Sequence, residues 1–73
     1  MEKLKTGDRV RFINAERHIR FPGYYPPAGT IGKVVRIVVP GYLAEVEWPL
    51  GSILSTGTKN ARFVDLKKIE GGN

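Results

Sequence analysis

Chemistry in this chain would have to come from one short segment. Arg17, His18, Arg20, Tyr24 and Tyr25 lie within nine positions, and they include the only histidine and two of the three tyrosines. Guanidinium groups interleaved with rings suit stacking on bases and pairing with phosphates, or clamping an acidic protein surface. His18, flanked by Arg17 and Arg20, is the one candidate general base. General-base work needs a partner such as Ser, Cys or a carboxylate, and none stands at a recognisable spacing, so His18 reads as a surface or packing residue. The same lack of co-ligands argues against a metal site, and no cofactor is expected. Gly29 and Gly32 resemble phosphate-loop glycines only superficially, because no lysine–serine pair or helix start follows them.

The elements around this segment read as strands. Asp8 to Asn14 alternates charged and apolar residues, with Val10 and Phe12 on one face and Arg9 and Arg11 on the other. Lys5 to Asp8 is turn chemistry that sets where this strand begins. From Ala15 to Gly29, three prolines and two glycines remove donors and break periodicity, so the expectation is a long loop with no regular element. Its packing would come from Phe21 and one tyrosine folding down on the barrel, with the arginines solvated. Thr30 to Val39 is the most β-branched stretch and is expected to be the central strand, buried on both sides or bulged near Gly32. After Pro40-Gly41, Tyr42 to Trp48 alternates again, placing Tyr42, Ala44, Val46 and Trp48 inward and Glu45 and Glu47 outward to pair with neighbouring cations. A turn at Trp48 to Gly51, a weak strand or loop over Ser52 to Asn60 and a strand over Ala61 to Val64 follow. Asp65 to Glu70 supplies one helical turn and a closing strand, and Gly71 to Asn73 frays.

Five short strands with no helical periodicity predict a small all-β, SH3-like barrel spanning residues 1–73, with a long loop after its first strand. A chain of 73 residues buries only a modest core. With no cysteine, neither disulfides nor a thiolate metal site can support that core. The opening residues hold no apolar signal-like run, and Pro40-Gly41 interrupts the longest uncharged apolar segment, so a soluble, cytoplasmic chain without membrane contact is expected. Twelve Lys and Arg against seven Asp and Glu give a formal charge of +5, a potential that steers acidic partners.

Three runs carry a resemblance to a known superfamily. Gly7-Asp8-Arg9-Val10-Arg11, then His18-Ile19-Arg20-Phe21-Pro22-Gly23-Tyr24, then Gly29-Thr30-Ile31-Gly32-Lys33-Val34 stand in the order and spacing of the nitrile hydratase β-subunit barrel. The chain is also similar to the small peripheral subunit of photosystem I and to the variable chain of ferredoxin-thioredoxin reductase, in its Gly29-Thr30-Ile31-Gly32 strand and its Phe63…Asp65-Leu66 ending. The resemblance covers roughly Lys5 to Ile69 and implies an electron-transport accessory barrel that packs against a larger catalytic protein without chemistry of its own. The metal-binding cysteine cluster of nitrile hydratase, which belongs to its other subunit, is absent here, so that activity is not carried over. A weaker similarity, through Gly29…Gly32-Lys33-Val34…Ile37, is to KOW-type barrels, which bind RNA or protein.

The expected function is therefore non-catalytic binding of a larger protein partner. Its contact surface would comprise Arg17, His18, Arg20, Tyr24 and Tyr25 together with Arg9, Arg11 and Arg36. The alternative is RNA or DNA binding through the same cations plus Lys33, Lys59 and Arg62.

Overall fold

The computed structural model describes residues 3–49 and 58–69. Five strands form one antiparallel sheet in the order β4-β3-β2-β1-β5, an all-β, barrel-like arrangement. The strands are β1 (Arg9–Phe12), β2 (Ile31–Val39), β3 (Leu43–Glu47), β4 (Thr58–Arg62) and β5 (Leu66–Lys68). The order makes β2 the central strand, as its β-branched composition predicts. β1 alternates as expected, with Val10 and Phe12 wholly buried and Arg9 and Arg11 exposed.

The turns follow their local chemistry. The Lys5 to Asp8 turn is closed by the Asp8 amide donating to the Lys5 carbonyl, while the Lys5 amide donates to the Asp8 carboxylate. Between β2 and β3, the Tyr42 amide donates to the Val39 carbonyl. Pro40 stands second in that turn and Gly41, third, takes φ +76°, the left-handed conformation a type II turn requires there.

Four expectations are corrected. Ala15 to Gly29 is not without regular structure, because α1 (Ala15–Arg20) occupies its first six residues. All three prolines of the segment fall after this helix, so they limit its length and do not forbid it. The bulges in β2 lie between Val34 and Arg36 and between Ile37 and Val39, not at Gly32. Tyr42 does not share the buried face of Ala44, Val46 and Trp48; it sits in the turn before β3 and is 54% exposed. The strand expected over Ala61 to Val64 stops at Arg62, and a 3-10 turn, η1 (Phe63–Asp65), begins two residues before the expected helical turn. The reason is Asp65, which must point inward to meet partners on β4 and at the start of α1. The turn at Leu50-Gly51, the segment 52–57 and the final residues 71–73 lie outside the described residues.

Leu4, Val10, Phe12, Val34, Ala44, Val46, Trp48, Ala61 and Leu66 form the core. Trp48 is core, as its phase with Val46 and Ala44 predicts, and its ring meets Phe12 edge-on at 5.8 Å between centroids. It lies directly over Gly32, where a Cβ would stand 2.5 Å from Trp48 Cε3 and 2.8 Å from the Glu47 carbonyl oxygen. The buried indole N–H has no hydrogen-bond partner among the described residues. An unpaired buried donor costs about 1–3 kcal/mol, so apolar packing and not hydrogen bonding decides where this ring sits.

Gly32→Ala, which forces the Trp48 ring or the β3 backbone to move, is expected to destabilise the fold by about 1–3 kcal/mol in urea unfolding. Asp65→Ala, which strips the Asn14 amide and the Arg62 guanidinium of their shared acceptor, is expected to destabilise it by about 2–3 kcal/mol in the same measurement.

Candidate partner-binding site

Asn14 builds the site. Its side-chain oxygen accepts from the Arg17 amide and caps α1, while its side-chain nitrogen donates to Asp65 Oδ1 at 2.8 Å. Glu16 in the first turn and Arg17, His18 and Arg20 in the last match the helix dipole. A six-residue helix is unstable alone, and tertiary bonds hold this one. Arg17 Nε lies 3.8 Å from Asp65 Oδ2, which also takes Arg62 Nε at 3.2 Å. The His18 ring bonds through Nδ1 to the Tyr25 carbonyl at 2.9 Å. A carbonyl can only accept, so the imidazole proton is assigned to Nδ1 and His18 braces the segment against the helix.

The segment after α1 folds over the barrel by ring packing. Tyr25 stacks on Phe12 of β1 at 5.5 Å between centroids, with the Arg17 guanidinium over its ring at the same distance. Tyr24 meets Tyr25 edge-on at 4.8 Å and receives the Lys59 ammonium of β4 at 5.9 Å. One tyrosine thus packs down as expected, and it is Tyr25. Phe21 does not: it touches the edge of Tyr25 yet remains 51% exposed, and Tyr24 remains 40% exposed.

Two adjoining hollows result. One is lined by Arg17, Phe21, Tyr24 and Tyr25, the other by Asn14, Glu16, Arg17, Arg20, Phe21 and Arg62. Arg17, His18, Arg20, Tyr24 and Tyr25 are thereby brought together, and Lys59 and Arg62, expected from sequence to serve only a nucleic acid, join them. Phe21 belongs to the same surface. Its place beside Pro22 within the aromatic run was the available signal.

Arg9, Arg11 and Lys33 stand elsewhere, on the outer face of β1 and β2. Arg36 pairs across β2 and β3 with Glu45, its Nε 3.0 Å from Glu45 Oε1, as predicted for that glutamate, whereas Glu47, opposite Lys33, makes no ion pair among the described residues. The Thr58 hydroxyl donates to the other Glu45 oxygen. Together the Thr58 hydroxyl and the Arg36 guanidinium hold the Glu45 carboxyl below the usual carboxylate range. Among the described residues no cluster of three or more His, Cys, Asp or Glu could hold a metal ion. Likewise, no helix among them is long and apolar enough to cross a membrane.

Comparison of the chain with protein-family models, curated proteins and solved structures finds no match.

Because Glu45 is easier to ionise in the folded chain than in the unfolded one, its contribution to stability is present above the ordinary carboxylate pKa and lost as pH falls through its lowered value. In thermal melts, Glu45→Gln is expected to unfold at a lower temperature than the parent chain at neutral pH. That gap should close as pH falls below the carboxylate range.

Proposed function

We propose that this chain is an SH3-like barrel serving as a non-catalytic, cytoplasmic accessory module, which engages an acidic segment of a larger protein through α1 and the residues up to Tyr25. The sheet order, with β5 returning to β1 after a 3-10 turn, supports the barrel assignment. The observation that carries the functional reading is the pair of half-exposed rings, Phe21 and Tyr24, set between guanidinium groups in adjoining hollows. A chain this small gains little by leaving two large rings in water. Rings and arginines together are the composition that protein interfaces favour.

The charge state of this surface favours a protein over a phosphate backbone. Arg17 and Arg62 share Asp65, and Arg20 pairs with Glu16 at 3.5 Å. The local positive charge is therefore largely offset, and what remains is ring area with guanidinium edges still able to take a carboxylate. His18, bonded to a backbone carbonyl, acts here as a brace for the loop and not as a base.

The test is a titration of the nitrogen-15-labelled chain with a short acidic peptide carrying one phenylalanine. Amide shifts should move at Arg17 to Tyr25, Lys59 and Arg62, and a Phe21→Ser, Tyr24→Ser variant should stay folded while losing at least tenfold in affinity. Unmoved amides in this segment, or an unchanged affinity in the folded variant, would reject the reading.

A further inference from the structure

The sheet carries a second feature that the accessory reading does not use. On the outer face of β1, Arg9 stands directly opposite Lys33 of β2, and Arg11 stands directly opposite Lys67 of β5. All four side chains are exposed, and none makes an ion pair among the described residues. Like charges placed directly across a ladder destabilise a sheet, and this sheet does it twice, at alternate positions of one strand.

The acids that might relieve this repulsion are engaged elsewhere. Asp8 lies 3.7 Å from Lys68, Glu16 takes Arg20, Glu45 takes Arg36, and Asp65 takes Arg17 and Arg62. Among the described residues only Glu47 faces the group, opposite Lys33 at its rim, where it forms no ion pair. With Arg9, Ile31, Gly32 and Lys33, the residues Glu47, Trp48 and Pro49 border a depression.

We infer that this face is a docking surface for the phosphate backbone of a nucleic-acid duplex. Neighbouring strands lie about 4.8 Å apart and alternate residues about 6.8 Å apart along a strand, so the four cations form a stepped row across β2, β1 and β5. A duplex presents a charge about every 1.7 Å of its axis, and a row of four closely spaced cations meets several phosphates at once. Among the described residues no exposed aromatic ring stands on the outer face of β1, β2 and β5, since Phe12 points into the core and Trp48, which lines the depression, is only 5% exposed. The face therefore lacks the stacking platform that single strands require. Contacts limited to phosphates make the binding independent of base sequence.

Fluorescence anisotropy with a DNA duplex of about 20 base pairs tests this, on the full chain across a salt series. Four neutralised phosphates predict a slope of log affinity against log salt of about −3.6, and Arg9→Gln with Arg11→Gln should halve it. Lys67→Glu is the decisive variant, because it replaces a like-charge pair with an opposite one. It should raise the melting midpoint by a few degrees while weakening duplex binding roughly tenfold. Arg20→Glu, on the other surface, should leave duplex affinity within about twofold. Unchanged duplex affinity in Lys67→Glu, a tenfold loss in Arg20→Glu, or tighter binding to the single strand or to polyglutamate than to the duplex would each overturn the inference. The acidic-peptide titration addresses other residues, so the two surfaces stand or fall separately.

Discussion

Asp65, 2% exposed, is the group on which the arrangement of the chain turns. Its carboxylate accepts from Asn14 and Arg62 and lies beside Arg17, while its backbone carbonyl accepts from Ile13. One residue thereby ties the end of β1, the cap of α1, the end of β4 and the start of β5. A carboxylate taken out of water is tolerated only when its oxygens find donors, and the donors available here belong to segments far apart in the chain. Satisfying Asp65 obliges η1 to form where it does and holds α1 against the barrel. Loss of that one carboxylate would release α1 and the segment after it and loosen the return of β5 together.

The second dependence is on rings. A core of this size includes only one wholly buried aromatic residue, Phe12, and that ring is enclosed from two directions. Trp48 approaches it edge-on from the end of β3, and Tyr25 stacks on it from the segment after α1. The segment is thus part of the packing and not an appendage to it. Aromatic pairs of this kind are worth about 0.5–1.5 kcal/mol beyond their buried area, a large share of the stability of a small domain. With Tyr25 fixed by Phe12 and by the His18 brace, Phe21 and Tyr24 are carried outward at defined positions. Preorganisation of this sort limits the entropy lost on binding.

Much of this was legible because the strands obey a period of two. Val10 and Phe12, then Ala44, Val46 and Trp48, face inward as their alternation demands, and the glutamates between them face the cations of β2. What escaped has a common physical cause: it depends on contacts between residues distant in sequence. The helix Ala15–Arg20 is too short for periodicity to reveal, and its cap at Asn14 is meaningful only once Asp65 is seen to hold the same side chain. Gly32 reads locally as a bulge. In the fold it is a regular strand position vacated for the Trp48 ring, which arrives from the neighbouring strand. Lys59 and Arg62 join the aromatic segment through Tyr24 and Asp65, pairings that spacing along the chain does not encode.

The distribution of charge separates what net charge alone merges. A formal +5 is compatible with a uniformly basic surface, yet four of the five described acids lie against specific cations. All of these pairs but Asp8 with Lys68 lie around α1, η1, β3 and the strands beside it. The unbalanced charge consequently accumulates on the outer face of β1 and its two neighbours, where Arg9, Arg11, Lys33 and Lys67 repel one another across the ladder. A sheet free to choose any surface residues there would lower its energy by placing one carboxylate among them. Carrying cations at all four positions sacrifices some stability for a close array of positive charge. Such a sacrifice marks surfaces whose requirement comes from outside the fold.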